Sequence, residues 1–432
     1  MVKEEYKETS VGKIPIDWEI EPLNNVGKIT GGSTPRRSNS KYWGGEIPWL
    51  TPSQISDKLI NNITNTDEYM TQKGLENSSA KLLPIGTVLM SSRATIGECV
   101  INNVPMTTNQ GFANIICEED KIYNYFLMYL LRNITPKLEA LAGGSTFLEI
   151  SRTSVRSLNI PLPPLPEQKK IASILSSVDK AIEKTNQVVE KTKELKKGLM
   201  QQLLTKGIGY SEFKEVRIGP KNYQIPDKWN IFSLDPENNL TTKVTDGSHY
   251  SPNQTENGKY YYATVTNLSE NGINYSTCNK INNEAYEKMV KGGCKPQNED
   301  VLFSKDGTVG ISAVFNNSED VVLLSSIAII RPTKNIISRY LKYYLSSKII
   351  MDQIKSFKSG TAIRRVVLRD IKKFKILVPP LKEQKKIASI LSSVDKKIEK
   401  EKEYKEKLER LKKGLMQKLL TGEVRVNVKQ EV

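Results

Sequence analysis

His249 is the one histidine in a chain of 432 residues, so a Ser/His/Asp or Cys/His site would have to be built around it. No G-x-S-x-G stands anywhere to supply the nucleophile. A phosphate-cradling Walker A loop is also missing, and Gly207-Ile208-Gly209 reads as the turn leaving a helix rather than a dinucleotide fingerprint. The Asn-Pro-Pro-aromatic order of adenine methyltransferases is absent; LNIPLPPL from Leu158 has the prolines without that order. Asp306 and Glu149 are of the type that serves nucleases, but no paired carboxylates accompany them. The cysteines, Cys99, Cys117, Cys278 and Cys294, lie far apart with no C-x-x-C, which fits buried thiols in a reducing cytoplasm and neither a zinc ribbon nor a disulfide framework. The residues point to a protein that binds, with any chemistry in a partner.

Binding has better material. Lys and Arg number 64 against 48 Asp and Glu, a formal net charge of +16, which attracts a polyanion such as nucleic acid through counterion release. A Lys-rich surface that only keeps the chain soluble is the plainer alternative. Polar loops carry the side chains that pair with base edges and phosphates. In the first half these are Thr34, Arg36 and Arg37 in GGSTPRRSNSKYW, Ser53 and Gln54 in TPSQI, Arg93 in SSRATIG, Asn109 and Gln110 in TTNQG, and Ser145, Thr146 and Arg152 in GGSTFLEISR. In the second half they are Asp246, Ser248, His249 and Tyr250 in TDGSHYSPNQ, Lys305 and Asp306 in SKDGTVG, and Lys358, Thr361, Arg364 and Arg365 in KSGTAIRR.

These loops must be held by something, and the chain writes its framework twice. EQKKIASILSSVD stands at Glu167–Asp179 and again at Glu383–Asp395, and Pro164–Thr205 matches Pro380–Thr421 at 31 of 42 positions without a gap. Weaker echoes extend outward: KIPIDW with QIPDKW, VLMSSRATIG with VLFSKDGTVG, and GGSTFLEIS with SGTAIRRVV. The chain is two copies of one unit, each a divergent domain followed by a near-constant segment.

The constant segment has helical periodicity. Ile171, Ile174, Val178, Ala181, Thr185, Val188, Thr192, Leu195 and Leu199 alternate at spacings of three and four, and Ile387, Ile390, Val394, Tyr404, Leu408, Leu411 and Leu415 follow in the second copy. Pro163, Pro164, Pro166, Pro379 and Pro380 precede the helices. Each would run about 38 residues, or about 57 Å, too long for one small core without a partner along its seam. If each compact domain has its ends close together, the second helix starts near the end of the first and returns antiparallel, with Ile171, Ile174, Val178, Leu195, Leu199, Ile387, Ile390, Val394, Leu411 and Leu415 pairing them.

The divergent domains mix short β-like runs (GTVLMSS, ECVINN, ANIIC, KYYYATVTN, VVLLSSIAIIR) with one amphipathic helix each, from Tyr123 and from Ser338. The expected class is α+β: two mixed α/β domains joined by two long antiparallel helices in a coiled coil, with internal pseudo-two-fold symmetry. The expected boundaries are 1–163 and 207–379 for the domains, 164–206 for the first helix, and 380–432 for the second helix with its tail. No run approaches the ~18 apolar residues of a membrane span, and the N-terminus MVKEEYKETS is charged, so a cytoplasmic location is expected.

Two divergent domains, each followed by P-P-L-x-E-Q-x-x-I-A-x-I-L-x-x-x-D and a helix closing in L-K-x-G-L-M-Q-x-L-L-T, resemble the specificity subunit of type I restriction-modification systems across essentially the whole chain. TPRRSNSKYWGGEIPWLTPSQI from Thr34 and TDGSHYSP from Thr245 are similar to openings of that family's target-recognition domains. The resemblance implies that each domain reads one half of a bipartite DNA target and that the paired helices fix the spacer. It also implies that two methyltransferase subunits dock on the conserved segments, with restriction subunits as further partners. No cofactor is expected in this chain; S-adenosylmethionine, ATP and Mg2+ would belong to the partners. A free-standing nuclease or fused methyltransferase would instead modify DNA alone, and a coiled-coil scaffold would bind no duplex and show a flat salt dependence.

Overall fold

Each half of the chain begins with a β-hairpin, Tyr6–Thr9 against Gly12–Pro15 in one and Phe213–Ile218 against Lys221–Pro226 in the other. The next strand lies antiparallel to the last strand of its own domain: Glu19–Pro22 on Asn159–Leu162, and Asn230–Ser233 on Lys375–Val378. This pairing brings the two ends of each domain together where a long helix begins. The computed structural model describes residues 5–56, 60–143, 148–255, 257–316, 319–357 and 365–427.

The chain forms two compact units, one of residues 1–187 with 402–432 and one of residues 188–401. The first contains a five-stranded sheet in the order Gly27–Gly31, Phe112–Cys117, Val88–Ser91, Cys99–Asn102, Asn62–Ile63. Val88–Ser91 and Cys99–Asn102 are buried along their whole length, as unbroken apolar strands in a sheet covered on both faces must be. Helix Asn124–Asn133 covers one face with six consecutive buried residues, Phe126 to Leu131. The second unit has a four-stranded sheet in the order Thr241–Asp246, Ile327–Pro332, Val301–Ser304, Ser312–Val314, covered by helix Ser338–Leu345. VVLLSSIAIIR, which reads as one apolar run, is two strands: Val321–Leu323 pairs with Tyr260–Ala263 in a separate sheet, and the chain turns at Leu324-Ser325-Ser326 before Ile327. Among the described residues no helix is long and apolar enough to cross a membrane.

The long helices span Leu165–Leu203 and Leu381–Leu420. Pro166 falls inside the first turn, where its missing N–H has no partner to lose. The inward positions of the first helix are Ile171, Leu175, Val178, Ile182, Thr185, Val189, Thr192, Lys196, Leu199 and Leu203, a spacing of four and three sustained throughout; the second repeats it from Ile387 through Leu391, Val394 and Ile398 to Leu408, Lys412, Leu415 and Leu419. That is the 3.5-residue period of a coiled-coil seam. Half the expected seam therefore shifts by one residue: Leu195, Tyr404 and Leu411 are 55%, 51% and 51% exposed, and the neighbouring Lys196 and Lys412 turn inward instead. Ile171 and Ile387 are fully buried, while Ile174, Val178, Leu199, Ile390, Val394 and Leu415 are half-buried.

Ion pairs explain why lysine displaces leucine. In the first unit Lys412 Nζ lies 2.6 Å from Asp179, whose carboxylate also accepts from the Tyr129 hydroxyl at 2.6 Å and Asn61 Nδ2 at 2.8 Å. In the second unit Lys196 Nζ lies 2.8 Å from Asp395, which accepts from the Tyr343 hydroxyl at 2.6 Å, with Lys342 Nζ at 3.6 Å. Each pair joins the two helices antiparallel within its unit, and each tyrosine ties the pair to its own domain. Thr185 and Thr192, also inward, donate to the carbonyls of Ala181 and Val188, so their hydroxyls are satisfied in the seam.

A second repeated contact anchors each helix start. In the first unit the Trp18 indole donates to Glu167 Oε2 at 3.1 Å, and Arg425 bridges Glu167 and Asp17 with four hydrogen bonds of 2.8 Å. In the second the Trp229 indole donates to Glu383 Oε2 at 3.2 Å, joined by the Tyr210 hydroxyl at 2.7 Å and the Ile208 amide at 3.0 Å. Gly207, at φ +65°, closes the helix exit; a Cβ there would come within 2.6 Å of Glu383 and 2.7 Å of Trp229. Gln168 and Gln384 complete the anchor, each donating to the carbonyl five residues before it and accepting an amide from its domain, Tyr123 or Ile337.

The Asp395 contacts carry a pH signature. Burial opposes its charge, but hydrogen bonds from Lys196 and Tyr343 outweigh that and hold the carboxyl below the usual carboxylate range. A carboxyl depressed in the folded state contributes stability above its unfolded pKa, about 3.9, and loses it as pH falls through the folded value. Asp395→Asn should cost about 1–3 kcal/mol at neutral pH and flatten the loss of stability below about pH 4. Denaturant unfolding of both proteins across that window checks this; equal acid sensitivity would show that the pair contributes nothing.

Candidate nucleic-acid interface

In the first unit the polar loops meet through backbone hydrogen bonds. The Ser33 amide donates to Thr108 O at 2.9 Å, Asn109 to Leu50 O at 2.9 Å, Ser92 to Gly111 O at 2.8 Å, and Ile150 to Ser92 O at 3.0 Å. Loops 31–37, 50–54, 92–93, 108–111 and 149–152 thus form one patch. The second unit builds the same set: Ser248 to Leu323 O at 2.8 Å, Leu324 to Ala263 O at 2.9 Å, Lys305 to Ser326 O at 3.0 Å, and Val366 to Lys305 O at 2.7 Å. One backbone frame therefore presents two different sets of side chains.

On the first patch Arg36 and Arg37 are exposed. The Arg37 guanidinium lies 4.2 Å from the Trp43 ring centre and 4.5 Å from that of Trp49, and it forms a two-pronged ion pair with Glu68. Hydrogen bonds from Arg37 hold the Glu68 carboxyl below its usual range. The Thr34 hydroxyl donates to Gln110 Oε1 at 2.6 Å, and Asn109 Oδ1 accepts from the Gly111 amide. Arg93 Nε pairs with Glu149 at 2.8 Å, and the exposed Arg152 lies over Gly31, its Nη1 within 2.8 Å of where a Cβ would stand. Ser53 is exposed and shares a 3.0 Å hydrogen bond with Thr51. Gln54 is not available for a base edge: it is buried and accepts from the Asp67 amide.

On the second patch Ser248 bonds both the amide and the carbonyl of Tyr250, forming the turn that exposes His249 and Tyr250. Lys288 Nζ lies 5.0 Å from the Tyr250 ring centre. Lys305, expected as a contact, is 1% exposed; its ammonium sits 3.3 Å from Asp246 and 3.0 Å from Asp306. Asp306 also pairs with Arg365 Nε at 3.2 Å, and Asp246 lies 3.4 Å from His249 Nε2. Ser145, Thr146, Lys358, Thr361 and Arg364 lie outside the described residues.

The pairs Arg93–Glu149 and Asp306–Arg365 occupy equivalent bridges of the two patches with their charges exchanged. Sequence reading missed three parts of the frame. Glu68, Trp43 and Trp49 form the seat of Arg37. Leu324-Ser325-Ser326 is the second counterpart of TTNQG. Thr264 and Thr266, whose hydroxyls share a 2.7 Å hydrogen bond, stand where Thr51 and Ser53 stand in the first unit. The likeness of YATVTN to WLTPSQ was the available signal.

The cysteines do not compete for a chemical role. Burial pushes the Cys99 and Cys117 thiols up to about 12 and Cys278 up to about 11, far from thiolate at neutral pH. The Ser248 hydroxyl beside His249 is engaged with the amide and carbonyl of Tyr250. Among the described residues no group of three His, Cys, Asp or Glu gathers to hold a metal ion.

The family model for the type I restriction modification DNA specificity domain matches the chain twice, over residues 15–192 and 226–410. The type I restriction enzyme MjaIX specificity subunit of Methanocaldococcus jannaschii is 31% identical over 435 residues, covering 98% of this chain and 97% of that protein. A chain solved in work on complex assembly and conformational transition of the type I R-M system is similar in fold, with a TM-score of 0.56 and 19% identity over 95% of this chain and 99% of that one. The S subunit of a type I restriction-modification system from M. genitalium gives a TM-score of 0.53 with 15% identity over 94% and 96%.

The seat of Arg37 has a direct optical test. Arg37→Ala should shift indole emission and lower stability by about 0.5–1 kcal/mol through loss of the cation over two rings. Trp18 and Trp229 are fully buried elsewhere and serve as the constant background. Emission unchanged from the parent protein would mean that the guanidinium does not rest on the rings in solution.

Proposed function

The chain belongs to the family of type I restriction modification DNA specificity domains, and from that membership we propose that it is the sequence-reading, non-catalytic subunit of a DNA methyltransferase and restriction complex. Each divergent domain, 1–163 and 207–379, is a target-recognition domain that reads one half of a bipartite double-stranded DNA sequence. The observation that carries this reading is the backbone frame built twice, each time gathering polar loops into one patch but with different side chains on it. Two readers with a common frame and distinct surfaces suit a target whose halves differ. A net charge of +16 supplies the sequence-independent attraction to phosphates.

On this reading Arg36, Arg37, Arg93 and Arg152 face one half-site, and His249, Tyr250 and Arg365 face the other. The long helices, 164–206 and 380–432 with its tail, set the unread spacer and dock two methyltransferase subunits on their repeated surfaces. Those subunits hold the S-adenosylmethionine and can recruit restriction subunits, which bring ATP and Mg2+. Their presence moves all bond-breaking out of this chain, in keeping with a sequence that has one histidine and no G-x-S-x-G.

Modularity gives the first test. Alanine at Arg36, Arg37 and Arg93 should relax one half-site while the other stays specified, each lost base contact costing about 1–3 kcal/mol. Genome-wide reading of the methylated motif decides it, and equal degeneracy in both halves would refute separate readers. The spacer gives the second. Four residues inserted after Gln187 and four after Glu401 leave the contacts inside each unit intact. They add about 6 Å to each helix, so the spacer should grow by one or two base pairs at about 3.4 Å each. An active variant with an unchanged spacer would mean that the helices do not measure the gap.

A further inference from the structure

The second patch contains a charge that its fold does not require. Lys305 follows the strand Val301–Ser304, and its ammonium is buried between Asp246, at the end of the strand Thr241–Asp246, and its own neighbour Asp306. Taking an ammonium out of water is costly and is tolerated only with close counter-charges. Yet the first patch makes the same backbone bonds with Ser92 at the equivalent position and Gly31 where Asp246 stands. The frame closes without an ion pair at that point.

What the buried charge does hold is the orientation of two exposed side chains. A continuous chain of contacts runs from His249 Nε2 to Asp246 at 3.4 Å, to Lys305 Nζ at 3.3 Å, to Asp306 at 3.0 Å, and from the other oxygen of Asp306 to Arg365 Nε at 3.2 Å. The two ends are 67% and 56% exposed, while Lys305 at the centre is 1% exposed. Asp306 engages Arg365 through Nε, and a guanidinium held on one edge keeps its terminal nitrogens for a forked contact to guanine or phosphate. Without Lys305, Asp246 and Asp306 would face each other as unneutralised carboxylates, and both would drift toward water or toward Arg365.

We propose that Lys305 is a positioning residue of the second DNA-reading domain: its buried ammonium, clamped by Asp246 and Asp306, presents Arg365 and His249 to the half-site that this domain reads. The inference rests on the half-site reading given above and adds a specificity role for a residue that touches no DNA. It also makes the two domains unequal. Among the described residues the first orders Arg93 with the surface carboxylate of Glu149, and the second orders Arg365 from a buried centre.

The test uses the full chain assembled with its methyltransferase partners, with methylated motifs read genome-wide. Lys305→Met and Arg365→Gln should relax the same base positions of one half-site, raising methylation at mismatched sites about tenfold or more, with the other half-site and complex yield unchanged. An unchanged motif in Lys305→Met overturns the inference, as does relaxation of both halves with reduced assembly, the mark of a general folding role. If Lys305→Met fails to fold, the double variant Asp246→Gly with Lys305→Ser installs the first domain's own residues and answers in its place. Its motif should relax at the positions sensitive to Arg365, and an unchanged motif overturns the proposal. A parent complex with no bipartite motif would instead defeat the half-site reading itself.

Discussion

A single carboxylate in the first turn of each long helix organises its unit. Glu167 and Glu383 receive an indole N–H from the strand-hairpin region that opens a domain, and groups from the segment that leaves the other helix. Three parts of the chain that are remote in sequence are thereby tied at one point, where the helix N-terminus also favours negative charge. The glutamine next to it binds the carbonyl before the helix and an amide of the domain, so the helix leaves in a fixed direction. The Asp–Lys pair farther along then fixes register, because a slip by one residue would bring apolar groups against the buried ions.

The two units solve the same mechanical problem with different chemistry. Trp18–Glu167 is closed by Arg425, an ion pair; Trp229–Glu383 is closed by Tyr210 and a backbone amide. The loop bridge is Arg–Glu in one domain and Asp–Arg in the other. Backbone contacts repeat while side-chain charges change sign, so one duplicated frame carries two unlike surfaces. The frame is therefore the invariant part of the design, and the patches are where the copies differ.

Much of this was legible in the sequence, for physical reasons that differ by element. The helices were clear because one face repeats for about ten turns, and the duplication was clear because EQKKIASILSSVD recurs letter for letter. The phase of half the seam was not: apolarity selected Leu195 and Leu411, whereas the inward lysines are recognisable only through the aspartates they meet across the pair. The loops that gather into patches were found by composition, but composition does not report burial, so Gln54 and Lys305 looked like Arg93. VVLLSSIAIIR concealed a turn because its two serines are small enough to continue a buried run. The cation seat of Arg37 needs Trp43 and Trp49 from one strand and Glu68 from its neighbour, and no local pattern in the chain announces it.

The clamp on Trp18 has a consequence for the order in which the protein is made. The unit of residues 188–401 is one continuous stretch and can close as it leaves the ribosome, whereas the other unit draws its final contacts from residues beyond 401. Tyr6 reaches Gly422, and Asp17 waits for Arg425, which is translated only after every residue of the later unit. Synthesis therefore runs against the usual sequence in which the first domain to emerge is the first to finish. The domain made first completes last, and a nascent chain stopped short of its final turn would carry a finished second reader beside an unlatched first one.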